Sequence, residues 1–183
     1  MNAEALPQPS ESRRRVLLYA GIGAAAAIAG AAVAIRELRG TSSGQVDPSL
    51  WSASFDTPQG TQLAMQTFRG KPLVLNFWAT WCPPCVAEMP LLDGFFRQNR
   101  SKGIEVIGLA IDQPSAVRTF LQRTPVGYPV GLAGLGGTEL SKILGNESGG
   151  LPFTVVVGKD GSVLQRRMGR VSPADLGQWA QLA

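Results

Sequence analysis

A short apolar segment that leads directly into a pair of cysteines constrains the fold of this chain most. Residues 73–78 (LVLNFW) form a nearly continuous apolar run, which is typical of a strand buried on both faces of a sheet. Cys82 and Cys85 follow at once, and apolar residues then recur at helical spacing over residues 86–96. The sequence therefore predicts a strand, two cysteines and a helix in immediate succession, with a kink at Pro90.

The rest of residues 50–183 alternates between strand and helix patterns. Residues 104–111 and 153–157 are further apolar runs, and Asp160-Gly161 predicts a tight turn into an antiparallel strand at about 162–168. Helices are predicted between and after these strands: one from Pro114, a short one around Leu140 to Leu144, and one from Ser172 with Leu176 and Trp179 facing inward. This order predicts an α/β fold with a central mixed sheet flanked by helices.

Composition excludes several kinds of chemistry. The 183 residues include two cysteines and no histidine, so a Ser-His-Asp triad, a His-ligated metal and an imidazole base are all impossible. Two cysteines alone cannot form a four-cysteine metal site. The net charge of +4 is divided equally between residues 1–45 and 46–183, and residues 46–183 contain no basic stretch longer than the pair Arg166–Arg167, so nucleic acid is not an expected partner.

The N-terminal part has the pattern of a membrane or export segment. Residues 1–15 are polar and end in three arginines, and residues 16–35 carry no charge. At 1.5 Å per residue, such a helix would span a bilayer core of about 30 Å. We expect a cytoplasmic tail at 1–15, a single-pass inner-membrane anchor at 16–35, a linker at 36–49 and a domain at 50–183 in the periplasm. The alternative is an export signal cleaved after about residue 34.

The two cysteines are the candidates for catalysis. A thiol at a helix N-terminus is stabilised as a thiolate by free N–H groups and the helix dipole, and a thiolate attacks disulfides. We therefore expect Cys82 to attack and Cys85, three residues later, to resolve the mixed disulfide. The alternatives are a structural disulfide and a metal bound by the pair, which would need further ligands because the chain has no histidine and no third cysteine.

Residues 76–90 (NFWATWCPPCVAEMP) resemble the active-site segment of thioredoxin-fold proteins, and most closely the membrane-anchored TlpA/ResA class of thiol–disulfide oxidoreductases. Residues 150–154 (GLPFT) resemble the cis-proline loop that faces the thiols in that fold. The resemblance implies a thioredoxin-like domain whose only redox group is the Cys82–Cys85 disulfide, with no other cofactor and no metal. It also implies that Trp81, Leu151 and Pro152 contact the substrate, Leu151 through its backbone.

Two positions near the motif bear on proton transfer. Thioredoxins carry a buried aspartate where this chain has Asn76, and an amide cannot accept a proton. In the ResA-like class a glutamate lies near the thiols at the position of Glu88. The resemblance therefore makes Glu88 the candidate proton acceptor, while the alternative is a solvent-exposed helix glutamate.

The residues between the cysteines favour a reductase. Pro83 and Pro84 have no N–H to donate to the Cys82 sulfur, so the dithiol form is stabilised less and the potential is expected to be low. We expect cysteine-containing protein substrates outside the cytoplasm and a membrane-bound thiol donor, with a role in the assembly of cytochrome c or a copper oxidase. Phe153 departs from the acidic residue that follows the cis-proline in reductases dedicated to cytochrome c. The alternative function is a copper-binding assembly factor that uses the same cysteines; a thiol peroxidase is disfavoured because no arginine lies nearby.

Overall fold

The computed structural model of the protein describes residues 43–181. Its strands and helices follow the alternation predicted from the sequence. The strands are β1 Ser43–Gln45, β2 Ser54–Asp56, β3 Gln62–Ala64, β4 Leu73–Trp78, β5 Glu105–Ala110, β6 Val130–Leu132, β7 Phe153–Val157 and β8 Ser162–Met168. The helices are α1 Ser49–Ser52, α2 Pro83–Asn99, α3 Pro114–Arg123, α4 Gly134–Ile143 and α5 Pro173–Trp179, with short 3-10 turns at Met65–Phe68 and Arg100–Lys102.

Within the described residues, the strands form one mixed sheet in the order β1-β8-β7-β4-β5-β6-β2-β3. Strands β4, β5 and β6 are parallel, because a helix returns the chain between each pair. Strand β7 is antiparallel to β4, and β8 is antiparallel to β7. The buried centre of the sheet is therefore β4, the strand that leads into the two cysteines.

Helices cover both faces of the sheet, which divides the core into two clusters. Helices α2, α3 and α5 pack on the face that includes Val74 and Trp78 of β4, and the two cysteines belong to this cluster. Helices α1 and α4 pack on the other face, against Leu73, Leu75 and Phe77. The alternation of β4 side chains between two helical layers explains why all six of its residues are buried.

The structure confirms the α/β fold with a mixed sheet flanked by helices, and β4, β7 and β8 have the predicted bounds to within a residue. It also extends the sheet beyond the predicted strands. Strand β1 pairs with β8 and lies inside residues 36–49, the segment interpreted as a linker. Helix α2 continues through Pro90 as one element, and α4 begins at Gly134, several residues before the predicted start.

The membrane segment expected at residues 16–35 lies outside the described residues. Over residues 43–181, no helix combines the length and apolar character needed to cross a bilayer.

Candidate functional site

The two cysteines lie where β4 ends and α2 begins. The chain leaves β4 at Trp78, crosses a short loop, and enters α2 with Cys82 as the N-cap residue. Cys82 and Cys85 are joined by a disulfide, with their Cα atoms 5.3 Å apart. The central strand and the first turn of the helix thus hold both sulfur atoms at the end of the sheet where β4 terminates.

The hydrogen bonding of the Cys82 sulfur follows from the two prolines. An N-cap side chain ordinarily accepts from the amide of the second or third helical residue. Pro83 and Pro84 occupy the first two positions and have no N–H, so the amide of Cys85 is the donor, at 3.3 Å from Cys82 Sγ. Cys82 is 4% exposed and Cys85 is fully buried. Access to the disulfide is therefore from the Cys82 side.

The predicted substrate-contact residues surround this end of the sheet. Trp81 precedes the N-cap and is 65% exposed, which is unusual for a large aromatic side chain. The Leu151–Pro152 peptide bond is cis, as the resemblance implied. Because Phe153 pairs with Phe77, Pro152 lies at the end of β4 from which the cysteine loop departs, and Leu151 packs against the cluster that contains both cysteines.

Glu88 is a buried carboxyl group, so it is not a solvent-exposed helix glutamate. It lies three residues after Cys85 on α2, one helical turn away and on the same side of the helix. The backbone amide of Val171 donates to Glu88 Oε2 at 2.7 Å. Asn76 Nδ2 donates to Glu88 Oε1 at 2.8 Å and to Thr154 Oγ1 at 3.0 Å. Each carboxylate oxygen thus has a donor from a different strand or loop.

The pKa of Glu88 is raised above that of an ordinary glutamate. Burial is the main cause, because it penalises the charged carboxylate. The hydrogen bonds from Val171 and Asn76 and the positive charge of Arg170 act in the opposite direction without cancelling it. A buried carboxyl group with a raised pKa, one turn from a cysteine, can accept a proton more readily than an exposed one.

A second carboxylate holds the loop before the cysteines. Asp112 follows β5 and accepts from the backbone amide of Thr80 at 2.9 Å and from the Thr80 hydroxyl at 2.5 Å. Burial raises the pKa of Asp112, but the hydrogen bonds from Thr80 and from the Gln113 amide outweigh it, so the pKa is lowered overall. Asp112 therefore ties the loop that carries Trp81 and Cys82 to the neighbouring strand.

Sequence reasoning did not find Val171, Thr154 or Asp112. Val171 acts only through its backbone, so its side chain carries no signal. Thr154 was identified only as part of the resemblance over residues 150–154, not as a partner of Asn76. Asp112 did carry a weak signal, because it directly follows the apolar run 104–111 and lies two residues before Pro114, the first residue of α3.

Over residues 43–181 there is no group of three or more histidine, cysteine, aspartate or glutamate side chains placed to hold a metal ion.

A thioredoxin-like sheet with a cysteine pair at the N-terminus of the helix after its central strand, and a cis-proline at the same edge, defines the thioredoxin-fold thiol–disulfide oxidoreductases. The redoxin family profile matches residues 45–178 of the chain. The chain therefore belongs to the redoxin family, and within it to the class that includes the ResA thiol–disulfide oxidoreductases.

The chain is similar to thiol–disulfide oxidoreductases in sequence and to thioredoxin-fold proteins in structure. Thiol-disulfide oxidoreductase ResA from Bacillus cereus is 32% identical over 67% of this chain and 69% of its own length. The ResA of Bacillus thuringiensis subsp. konkukian is 33% identical over 66% and 68%. A thiol:disulfide interchange protein of the thioredoxin family from Chlorobium tepidum TLS superposes with a TM-score of 0.63 at 29% identity, covering 72% of this chain and 92% of that one. The structure of dsbF from MTB gives a TM-score of 0.63 at 26% identity, over 73% and 96%.

Proposed function

We propose that this protein is a membrane-tethered reductase of protein disulfides that acts outside the cytoplasm through Cys82 and Cys85. The observation that carries the proposal is the cysteine pair at the start of α2, with a buried carboxyl group, Glu88, one turn further along the helix. The named relatives are thiol–disulfide oxidoreductases, which supports the reaction type.

The proposed reaction begins with the reduced protein. The Cys82 thiolate attacks one sulfur of a substrate disulfide, and the other substrate sulfur leaves as a thiolate that takes up a proton. Glu88 accepts the proton of the Cys85 thiol, and the Cys85 thiolate attacks Cys82 Sγ. This step releases the second substrate thiolate and forms the Cys82–Cys85 disulfide. Two electrons pass to the substrate, and a thiol donor restores them.

The hydrogen bonding around Cys82 supports the direction of electron flow. A thiolate at a helix N-terminus is stabilised by the amides that point at it. Pro83 and Pro84 remove two of these donors, leaving the Cys85 amide at 3.3 Å. A dithiol form that is stabilised less gives a lower potential, which suits a donor of electrons.

The surface around the disulfide supports a polypeptide substrate. Trp81 offers an exposed aromatic face beside Cys82. Leu151 precedes the cis-proline, and its backbone can pair with an extended segment of the substrate. We propose that these two residues and Pro152 hold the substrate disulfide over Cys82.

The proposed location and partners follow from the sequence alone. The uncharged segment at 16–35 would anchor the protein in the inner membrane of a bacterium, with the arginines at 13–15 on the cytoplasmic side. The substrates would be cysteine-containing proteins, including those of cytochrome c or copper-oxidase assembly, and a membrane-bound thiol donor would reduce the Cys82–Cys85 disulfide.

The redox potential tests the proposal. Equilibration with glutathione buffers should give a potential below about −200 mV, in the range of glutaredoxins and thioredoxin, whereas a value near −120 mV, that of the oxidant DsbA, would refute a reductase. The Cys85→Ser variant should accumulate mixed disulfides with proteins, and the matched Cys82→Ser variant should not. Copper titration of the reduced protein tests the alternative: a copper complex that forms in the wild type and is lost in Cys85→Ser would favour an assembly factor that uses both cysteines.

A further inference from the structure

The loop that leads to the cis-proline is held by one buried side chain. Residues 144–150 follow α4, and most of them are exposed, but Asn146 in the middle of the loop is completely buried. Its Nδ2 donates to the backbone carbonyl of Gly150 at 2.9 Å and to Ser141 Oγ at 3.3 Å. The first of these bonds ends one residue before Leu151, which the proposed function assigns to substrate binding.

Asn146 is itself fixed to helix α4. Its backbone N–H donates to the Ser141 carbonyl at 2.9 Å, and the Ser141 hydroxyl donates to the Thr138 carbonyl at 2.8 Å. Ser141 is completely buried. Helix α4 packs on the face of the sheet opposite the one that includes the two cysteines. The amide that binds the Gly150 carbonyl therefore has a fixed place in the α4 layer.

The polar backbone groups between Gly150 and Pro152 fall into two kinds. The Gly150 carbonyl accepts from Asn146, and the Pro152 carbonyl accepts from the Gly169 N–H at 2.9 Å. The N–H and the C=O of Leu151 have no hydrogen-bond partner among residues 43–181. Leu151 is partly exposed. Backbone groups without a partner in the protein bind water or a ligand, so Leu151 has both a donor and an acceptor to offer.

The bond to Asn146 also decides the direction in which the Leu151 N–H points. The Gly150–Leu151 peptide bond is trans, because Leu151–Pro152 is the only cis bond within the described residues. The C=O and the N–H of a planar trans peptide unit point in opposite directions. Since the Gly150 carbonyl points to Asn146, the Leu151 N–H points away from Asn146 and from the α4 layer. A residue before proline favours an extended conformation, in which its own N–H and C=O point to the same side.

We propose that Asn146 is a positioning residue for the substrate: it orients the Gly150–Leu151 peptide so that Leu151 presents its N–H and C=O to one residue of an extended polypeptide. In an antiparallel pair, two opposite residues exchange both of their hydrogen bonds, and the free groups of Leu151 match this pattern. The inference rests on the proposed polypeptide substrate and adds the residue that fixes the geometry of its binding. Without the Asn146 amide, the Gly150 carbonyl loses its internal donor and the peptide unit can rotate.

Amide hydrogen exchange at Leu151 measures the pairing. The ¹⁵N-labelled full-length chain carries Cys85→Ser and is kept in detergent micelles. A short peptide of threonine and valine around one cysteine is added as its pyridyl disulfide, and the Cys82 thiolate displaces pyridine-2-thione, so that one S–S bond replaces another. The Leu151 N–H should exchange about tenfold more slowly in this complex than in the adduct with 2-mercaptoethanol, which has no backbone to pair. Equal exchange in the two adducts would overturn the pairing.

Asn146→Ala removes the donor to Gly150, so the slower exchange of Leu151 in the peptide complex should be lost. Asn99→Ala is the matched control. Asn99 is only 3% exposed, and its Nδ2 donates to the Phe95 carbonyl at the same distance of 2.9 Å, but it lies at the end of α2 farthest from the cysteines. This variant should lower the urea midpoint and keep Leu151 protected. Equal protection of Leu151 in the two variants would overturn the positioning role.

Asn146→Leu has nearly the shape of asparagine but no donor, so it tests the site if Asn146→Ala does not fold. It should lose the protection of Leu151 in the same way, and the corresponding control is Asn99→Leu. Retained protection in a folded Asn146→Leu would again count against the positioning role.

Turnover gives a second readout that a purely structural role would not produce. In Asn146→Ala or Asn146→Leu, KM for the disulfides of insulin should rise about three- to tenfold with little change in kcat. KM for a small aromatic disulfide should stay the same, because it has no backbone to pair with Leu151. Equal rises for both substrates would contradict the inference. An oxidising potential for the cysteine pair would refute the proposed reductase and leave the exchange results at Leu151 as they are.

Discussion

Replacing Glu88 by glutamine should remove a specific dependence of stability on pH. The folded protein holds the Glu88 proton more tightly than the unfolded chain, because burial raises its pKa above the ordinary value of 4.5. Below that value Glu88 is protonated in both the folded and the unfolded state, so burial of its carboxyl group carries no ionisation penalty and the free energy of unfolding is at its highest with respect to this group. As pH rises through the interval between the unfolded and folded pKa values, the unfolded state ionises first and the free energy of unfolding falls.

The size of the effect follows from proton linkage. One proton bound by the folded but not by the unfolded state changes the free energy of unfolding by at most about 1.4 kcal/mol per pH unit. The side chain of Glu88→Gln cannot titrate. Its amide oxygen can still accept a hydrogen bond from the Val171 amide, which in the wild type donates to Glu88 at 2.7 Å. The stability of the wild type minus that of the variant should therefore decline with pH above 4.5 and level off above the folded pKa.

Urea unfolding of the oxidised protein at half-unit steps from pH 4 to pH 9 measures this difference. The oxidised form is chosen because disulfide cysteines do not titrate. Glu139→Gln is the matched control: Glu139 is also a helical glutamate, but its side chain is 72% exposed and paired with Lys142. Because the Glu139 side chain is exposed, Glu139→Gln should not reproduce the decline above pH 4.5 expected for Glu88→Gln. A difference for Glu88→Gln that is flat, or that rises with pH, would refute the account of Glu88 as a carboxyl group whose charged form is penalised by burial.

Three further predictions concern the loop before the cysteines, helix α5 and the exposed side chain of Trp81. Asp112→Ala should lower the free energy of unfolding at pH 7 by about 1–2 kcal/mol, because Thr80 loses a charged hydrogen-bond acceptor. Since the pKa of Asp112 is lowered in the folded protein, the difference from the wild type should disappear as pH falls through that pKa; a difference that persists at pH 2 in urea unfolding would contradict this prediction. Ser172→Ala should lower the free energy of unfolding by about 1 kcal/mol, because Ser172 and Asp175 form a capping box at α5; an unchanged urea midpoint would exclude that contribution. Trp81→Ala should change stability by less than about 0.5 kcal/mol yet raise KM for a protein disulfide and not for a small aromatic disulfide; equal effects on both substrates would argue against a docking role.

The parts of the fold that could be predicted are those whose signals are local. Strands β4 and β7 are buried on both faces, so each appears as an uninterrupted apolar run. The Asp160-Gly161 turn marks the start of β8. The strands that were missed, such as β2 and β6, have three residues each. Three residues are too few to establish an alternation, and these strands exist because a neighbouring strand supplies their hydrogen bonds.

The candidate site likewise contains residues that local sequence signals could predict and residues that they could not. Cys82 and its place at a helix N-terminus could be read from one continuous segment. The burial of Glu88 also had a local signal, because it shares a face with Cys85 and Leu92 at helical spacing. The partners of Glu88 could not be predicted, since Val171 lies 83 residues away and contributes only a backbone amide. The hydrogen bond from Asn76 to Thr154 depends on the register of β4 against β7, which no single segment specifies.

The hydrogen bond between Glu88 and Val171 has a consequence for the order of folding. Contacts between residues so distant in sequence form late, because the intervening chain must first lose its freedom. The cysteine pair and α2 depend on nearby residues and can assemble early, but the carboxyl group beside them gains its second donor only when β7, β8 and the turn into α5 have docked. A partly folded chain would therefore carry both thiols before Glu88, the proposed proton acceptor, has its final hydrogen bonds. Thiol exchange by immature chains should then be slower than that of the finished protein.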